Sequence, residues 1–225
     1  MPQAGIHGIA GAVSRRWMPK QEWLLLGVVL GNMFPDLDNI AVAVATLTGA
    51  STEGLHRTFT HSIFTVIALV VIFAIIAAVT KNPRWTSFGY GMAAGTLMHI
   101  LLDLLLWFNG VELLWPVKFE LNFWRWFTVP DWLDKLLITG EFLAFGLFFT
   151  LLAALARRQN TDVDYQSKAW LWAIIQFVLF VIFTFLAFIW TSGYFTIYGA
   201  LYLVSLILAV GVTIRMRRTI EMIPS

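Results

Sequence analysis

Apolar residues dominate this chain, and the runs they form differ in length rather than in period. Five runs reach the roughly 20 residues a helix needs to cross a hydrocarbon core. They lie at about 62–80, 86–108, 136–156, 169–190 and 194–214. Three earlier runs are too short to cross alone. Residues 4–16 form a glycine-rich stretch ending at Arg15 and Arg16, 22–34 are stopped at Phe34-Pro35, and 39–50 follow that break. No segment alternates with the period of a membrane β-strand. The pattern predicts an all-α fold: a polytopic transmembrane helix bundle with five full-length spans plus a broken N-terminal helical region. Interrupted helices at membrane depth are tolerated where they pack inside protein or line a cavity, and such breaks often mark the working site.

Composition sharpens this reading. Of 225 residues, 59% are apolar and only 12% are charged, about half the charged share of a soluble domain. With a net charge of +2 and basic residues only beside apolar runs, nothing points to nucleic acid. The stretch 4–13 is broken by Gly5, Gly8, Gly11 and His7, so no cleaved signal peptide is expected.

Charge also predicts topology. Lys81 and Arg84, then Arg157, Arg158 and Lys168, then Arg215, Arg217 and Arg218 fall at alternate helix ends. Arg15, Arg16 and Lys20 can join them on one side. Of 15 basic residues, this leaves only Arg57, Lys118, Arg125 and Lys135 opposite, so the basic side is expected to be cytoplasmic. The loop 109–135 then lies outside. With Trp107, Trp115, Trp124, Trp126 and Trp132, it suits an interfacial aromatic belt. We divide the chain into a metal-site membrane domain, 1–135, and a three-helix scaffold, 136–225, within one bundle.

The polar residues inside these runs carry the chemistry. Gly91, Gly95, His99 and Asp103 recur every four residues and share one helical face; small residues permit close helix contact. A histidine and a carboxylate one turn apart make half a metal site, and ionisable groups at this depth require compensation. His56-Arg57-Thr58-Phe59-Thr60-His61-Ser62 opens the helix 62–80, with Thr60 as its expected N-cap and Arg57 able to bind phosphate. Asp36 and Asp38 sit at the Pro35 break, where carboxylates suit hard or borderline cations. His7 lies in Gly5-Ile6-His7-Gly8, and Glu141 is a further carboxylate, buried or snorkelling to the outer interface. Without cysteine, any metal must use nitrogen and oxygen ligands. Placed by the charge bias, His56, His61, His99, Asp103, Asp36 and Asp38 reach similar depth in the outer half, with His7 near mid-membrane.

Three motifs carry a family resemblance: Pro35-Asp36-x-Asp38, His56-Arg57-x-x-Thr60-His61-Ser62 and Gly95-x-x-x-His99-x-x-x-Asp103. Together they resemble the YdjM/YbcI family, described as inner-membrane-associated metal-dependent hydrolases. His7 with its small neighbours, Gly110 and Trp115-Pro116 fit as well, so the resemblance covers about residues 1–135. It implies a bacterial or archaeal inner-membrane protein. A fainter likeness is to zinc-dependent phospholipase C, although this chain lacks that group's later His-x-x-x-Glu.

The expected function is a membrane-embedded metal-dependent hydrolase acting on a phosphoester of a lipid or lipid-linked substrate at the outer half of the membrane. His61, His99 and Asp103 are the expected first ligands, with Asp36, Asp38, His56 and His7 completing this site or a second one. Zn²⁺ is the favoured ion, with Mn²⁺ or Fe²⁺ as alternatives. Asp38 or Asp36 would take the proton, and Arg57 would pair with phosphate. The same residues also suit a metal or proton pathway, or a non-catalytic module held together by His–Asp contacts.

Overall fold

The computed structural model describes residues 4–190 and 193–222. Among the described residues, five helices are long and apolar enough to cross a membrane: α4 (Ile63–Thr80), α5 (Arg84–Leu106), α6 (Asp131–Gln159), α7 (Val163–Ile189) and α8 (Phe195–Arg215). They coincide with the five runs read from hydropathy, extended by a few residues where polar ends continue the helix. The N-terminal region is broken as expected into α1 (Ala4–Val13), α2 (Leu24–Met33) and α3 (Asn39–Thr48), and a short α9 (Arg217–Glu221) closes the chain. The bend between α2 and α3 is 41° and occurs through a single 3₁₀ turn, Pro35–Asp38. Proline lacks the N–H needed to continue α2, so the chain turns there.

The core centres on α6, whose Phe142, Phe145, Phe148 and Phe149 are all buried. Phe142 meets Phe183 of α7 at 5.3 Å and Tyr198 of α8 at 5.2 Å between ring centroids. Helix α1 is wedged between α2 and α6. A Cβ on Gly5 would strike the backbone of Ala144 and Phe145, and one on Gly8 would strike Met33 and Phe148. Small residues are therefore required for α1 to lie this deep. By contrast, α4 is peripheral, with only Thr65 and Leu69 buried. Its exposed Ile67, Val71, Ile72 and Ile75 form the apolar face a lipid environment covers.

The segments carrying the basic residues meet at one end of the bundle. Arg84 pairs with Glu22 at 2.7 Å, the Trp23 N–H donates to Glu221 at 2.9 Å, and the Thr219 N–H and hydroxyl donate to Asp162 at 3.0 and 2.8 Å. Arg215 reaches both Asp162 and Asp164. At the other end, the loop after α5 contains a small hairpin, β1 (Val111–Glu112) with β2 (Glu120–Leu121). It folds over the 57–63 segment through Glu112 N–H to the Arg57 carbonyl and Ile63 N–H to the Leu113 carbonyl, both 3.0 Å. The Trp115–Pro116 bond is cis. Trp126 and Trp132 are exposed as a belt requires, but Trp107 is buried.

Candidate metal centre

A glycine seam sets the position of the centre. On α5, Gly91 and Gly95 face Gly27 and Gly31 of α2, four residues apart on each helix. A Cβ at Gly95 would meet the Val28 carbonyl and Asn32 nitrogen, and one at Gly31 would meet the Met92 backbone. With no side chains between them, the two backbones touch. The Thr96 hydroxyl then donates across the seam to the Gly31 carbonyl at 3.2 Å. One turn further along, the His99 Nδ1–H donates to the Asn32 carbonyl at 2.7 Å. The seam thus carries His99 and Asp103 up to the Pro35 break, where Asp36 is buried.

Further contacts converge there. His7 Nε2 lies 3.1 Å from Asp103 Oδ1, and its ring stacks on His99 with centroids 3.7 Å apart. Arg57 Nη2 lies 3.2 Å from Asp103 Oδ2, while Nη1 donates to the Asn109 carbonyl at 2.9 Å. His61 Nε2 sits 3.1 Å from His99 Nε2 and 3.6 Å from Asp103 Oδ2. His99 Nε2 is 3.8 Å from both Asp36 Oδ1 and Asp103 Oδ2. His7, His61, His99, Asp36 and Asp103 are each 0% exposed. Five residues from α1, α5, the 35–38 turn and the 59–61 turn therefore share one buried volume.

Asp38 organises the outer side of the cluster. Its Oδ1 is 2.7 Å from His56 Nδ1, and its Oδ2 accepts from the Arg57 backbone N–H at 3.1 Å and the Thr60 hydroxyl at 2.9 Å. Since the Thr60 proton is given to Asp38, the Thr60 oxygen is left to accept from His61 Nδ1 at 3.0 Å. Asp38 also lies 3.5 Å from that nitrogen. Thr60 is thus committed to Asp38 and His61, and the N-cap of α4 is Ser62, whose oxygen accepts from the Phe64 N–H. The expected cap moved because a carboxylate competes for the threonine hydroxyl and a second hydroxyl stands two residues on. Burial lowers the pKa of His61, against the opposing pull of Asp103, and so favours the neutral ring.

These assignments leave a set of donors aimed at one another. His99 and His61 each commit Nδ1–H to an oxygen, so each presents an Nε2 lone pair to the other across 3.1 Å. Two lone pairs at that distance repel unless a cation lies between them. Nearby, both oxygens of Asp36 and Nδ1 of His7 are buried and have no hydrogen-bond partner among the described residues, which is costly in an apolar interior. Ligand atoms of Asp36, His61 and His99 lie within 4.8 Å of one another, as do those of His7, His99 and Asp103. Neutral imidazoles and carboxylates are the donors a divalent first-row ion takes, and bonds of ~2.0–2.1 Å place neighbouring ligand atoms about 3–3.5 Å apart. The residues fit a metal.

His7, Asp36, His61, His99 and Asp103 thus come together directly, and Asp38, His56 and Arg57 surround them. His56 is a step removed: it touches Asp38 and keeps a buried Nε2 without a partner. Glu141 is 1% exposed; its carboxylate faces the N–H of Ala4, at the start of the helix that carries His7. Its place is therefore the core, beneath α1. The backbone carbonyl of Asn32 and the glycines at 27 and 31 were not singled out from sequence, although the Gly27-x-x-x-Gly31 spacing repeats the signal read on α5.

The model of the YdjM inner membrane protein family fits residues 4–217, well past the stretch to residue 135 that carries the motifs. No curated protein and no solved structure matches the chain.

Proposed function

Because the chain belongs to the YdjM inner membrane protein family, and its buried His–Asp cluster could hold a metal, we propose that it is a metal-dependent hydrolase of prokaryotic inner membranes that cleaves a phosphoester of a lipid or lipid-linked substrate. The observation that carries the reading is the pair of facing Nε2 atoms of His61 and His99 beside the two free oxygens of Asp36. In this proposal His61, His99 and Asp36 hold the ion, and His7 with Asp103 completes the site. Zn²⁺ is favoured, with Mn²⁺ or Fe²⁺ as alternatives. A divalent ion in such a site supplies a water that ionises near neutral pH and polarises the scissile group.

The chain's own residues then have separable tasks. Asp36 retains an oxygen to accept the proton of the attacking water. Asp38 is saturated by His56, Arg57 and Thr60, which suits it to orient His61 rather than to act as base. Arg57 holds Asp103 and places a guanidinium at the cluster wall, where it can offset phosphate charge. His56, held through Nδ1 by Asp38, keeps its buried Nε2 for a group at the edge of the cluster. The basic residues gather at the opposite end of the bundle, which supports placing the site in the outer half of the membrane.

The test is elemental analysis of untagged protein purified in detergent, beside a His99→Ala, Asp103→Ala variant. Near-stoichiometric metal in the wild type, lost from the folded variant, is expected. A screen of phospholipids and lipid phosphates then follows. Full metal content with no lipid turned over would refute the lipid phosphoesterase, and no metal after reconstitution with Zn²⁺, Mn²⁺ or Fe²⁺ would refute the hydrolase.

A further inference from the structure

At the basic end of the bundle, several arginines have carboxylate partners. Arg84 meets Glu22 at 2.7 Å, Arg215 lies against Asp162 and Asp164, and Arg217 is 3.9 Å from Glu221. All three are at least partly exposed. Arg15 differs on both counts. It is 8% exposed, and its Nη1 is enclosed without a hydrogen-bond partner among the described residues. The charges that act on it belong to Arg16 and Arg158, and both repel it.

The local fold places it there. A Cβ on Gly11 would crowd Val29, so glycine lets the last turn of α1 press against α2. The chain then tightens into a 3₁₀ turn, Ser14–Arg16. The Ser14 hydroxyl donates to the Gly11 carbonyl at 2.7 Å, and the Trp17 N–H donates to the Ser14 carbonyl at 2.9 Å. Arg15 is thereby turned inwards while Arg16 and Trp17 stay exposed. It stands eight positions after His7, about 12 Å along a helix axis, and is separate from the metal centre.

A buried lysine or histidine can escape an unfavourable site by losing its proton. Arginine cannot, because its pKa lies far above any working pH. Three guanidiniums with no carboxylate among them call for an anion from outside the chain, and the planar fork of arginine matches phosphate oxygens. The chain on either side of the turn presents apolar surface: Val13 and Trp17 are exposed. Tryptophan and clustered arginines together suit the level where acyl chains meet anionic headgroups.

We propose that Arg15, Arg16 and Arg158 bind the phosphate of an anionic phospholipid at the basic end of the bundle. This lipid is held and not cleaved, since the metal centre lies elsewhere.

The test uses the full chain in detergent, stripped of lipid and titrated with dioleoyl phosphatidylglycerol, with native mass spectrometry and thermal unfolding as readouts. The wild type should bind this lipid in preference to dioleoyl phosphatidylcholine and melt at higher temperature as it is added. Arg15→Gln should weaken binding about tenfold, the worth of one charge-assisted hydrogen bond. Without lipid it should melt no lower than the wild type, because an unpaired buried charge has gone. Arg158→Gln, at an exposed side chain, should weaken binding without touching the buried position. Arg218→Gln removes the same charge from another exposed side chain at this end and should bind as the wild type does. Unchanged binding in both site variants, or an equal loss in Arg218→Gln, would overturn the proposal. So would a lower melting temperature of lipid-free Arg15→Gln with binding intact, which would make Arg15 structural. Equal stabilisation by sn-glycerol 3-phosphate at the same phosphate concentration would overturn the lipid and leave a soluble phosphate ester as the ligand.

Discussion

Thr60→Val is the most informative single perturbation, because it removes one hydroxyl from the link between Asp38 and His61 and changes almost no volume. That hydroxyl donates to Asp38 at 2.9 Å and accepts from His61 Nδ1 at 3.0 Å. Groups that fix the ring of a ligating histidine are worth 10–100-fold in metal affinity, or about 1.4–2.7 kcal/mol. The structure selects the lower end. Asp38 Oδ2 already lies 3.5 Å from His61 Nδ1, so a small ring rotation restores a direct His–carboxylate bond. The expected loss is about tenfold in affinity, with the fold intact, because the remaining donors to Asp38 come from His56 and the Arg57 backbone. Titration against a chromophoric chelator in detergent reads the affinity, and thermal unfolding of the same samples reads the fold. Asp38→Asn in parallel should cost more, since it removes the fallback as well. If Thr60→Val binds metal within twofold of wild type while His99→Ala abolishes binding, the Asp38–Thr60–His61 link has no part in positioning the ligand.

Three other outcomes follow from the packing. Gly95→Leu sets a side chain against the Val28 carbonyl and the Asn32 and Gly31 backbone and should destabilise by more than the ~1–3 kcal/mol usual for overpacking, with metal content lost in parallel; a folded, metal-replete variant would refute the seam. Gln176→Leu removes a buried hydrogen bond of 3.0 Å to Ser205 between α7 and α8, yet should cost only about 0.6 kcal/mol, the mean for such bonds in membranes; chemical unfolding in mixed micelles measures it. Glu22→Gln breaks the ion pair with Arg84 between half-exposed side chains and should leave stability within about 1 kcal/mol and metal content unchanged.

The spans were legible because length and absence of charge suffice to define them, and the break at Pro35 was legible because proline acts locally. The convergence of Asp36, His61, His99 and Asp103 could be anticipated only as a shared depth, with His7 expected nearer mid-membrane. Which helix meets which depends on surface shape: Gly91 and Gly95 announce a close contact, but nothing local says that Gly27 and Gly31 fill the other side. Thr60 and Ser62 show the same limit at a smaller scale. Both hydroxyls can cap α4, and the choice falls to a carboxylate 22 residues earlier. The burial of Trp107 and the β-hairpin depend likewise on contacts distant in sequence. Glu141 could have snorkelled by length alone; its actual place was decided by the N-terminus of α1 lying against it.

The partners of Asp103 have a consequence for biosynthesis. The side chains that meet this carboxylate, His7, Arg57, His61 and His99, all precede it in the chain. When α5 leaves the ribosome, each of them has already been made, so the carboxylate can enter the membrane against waiting neighbours rather than against bare hydrocarbon. The helices synthesised afterwards, α6 to α8, supply the aromatic packing and need not be present for that charge to be met.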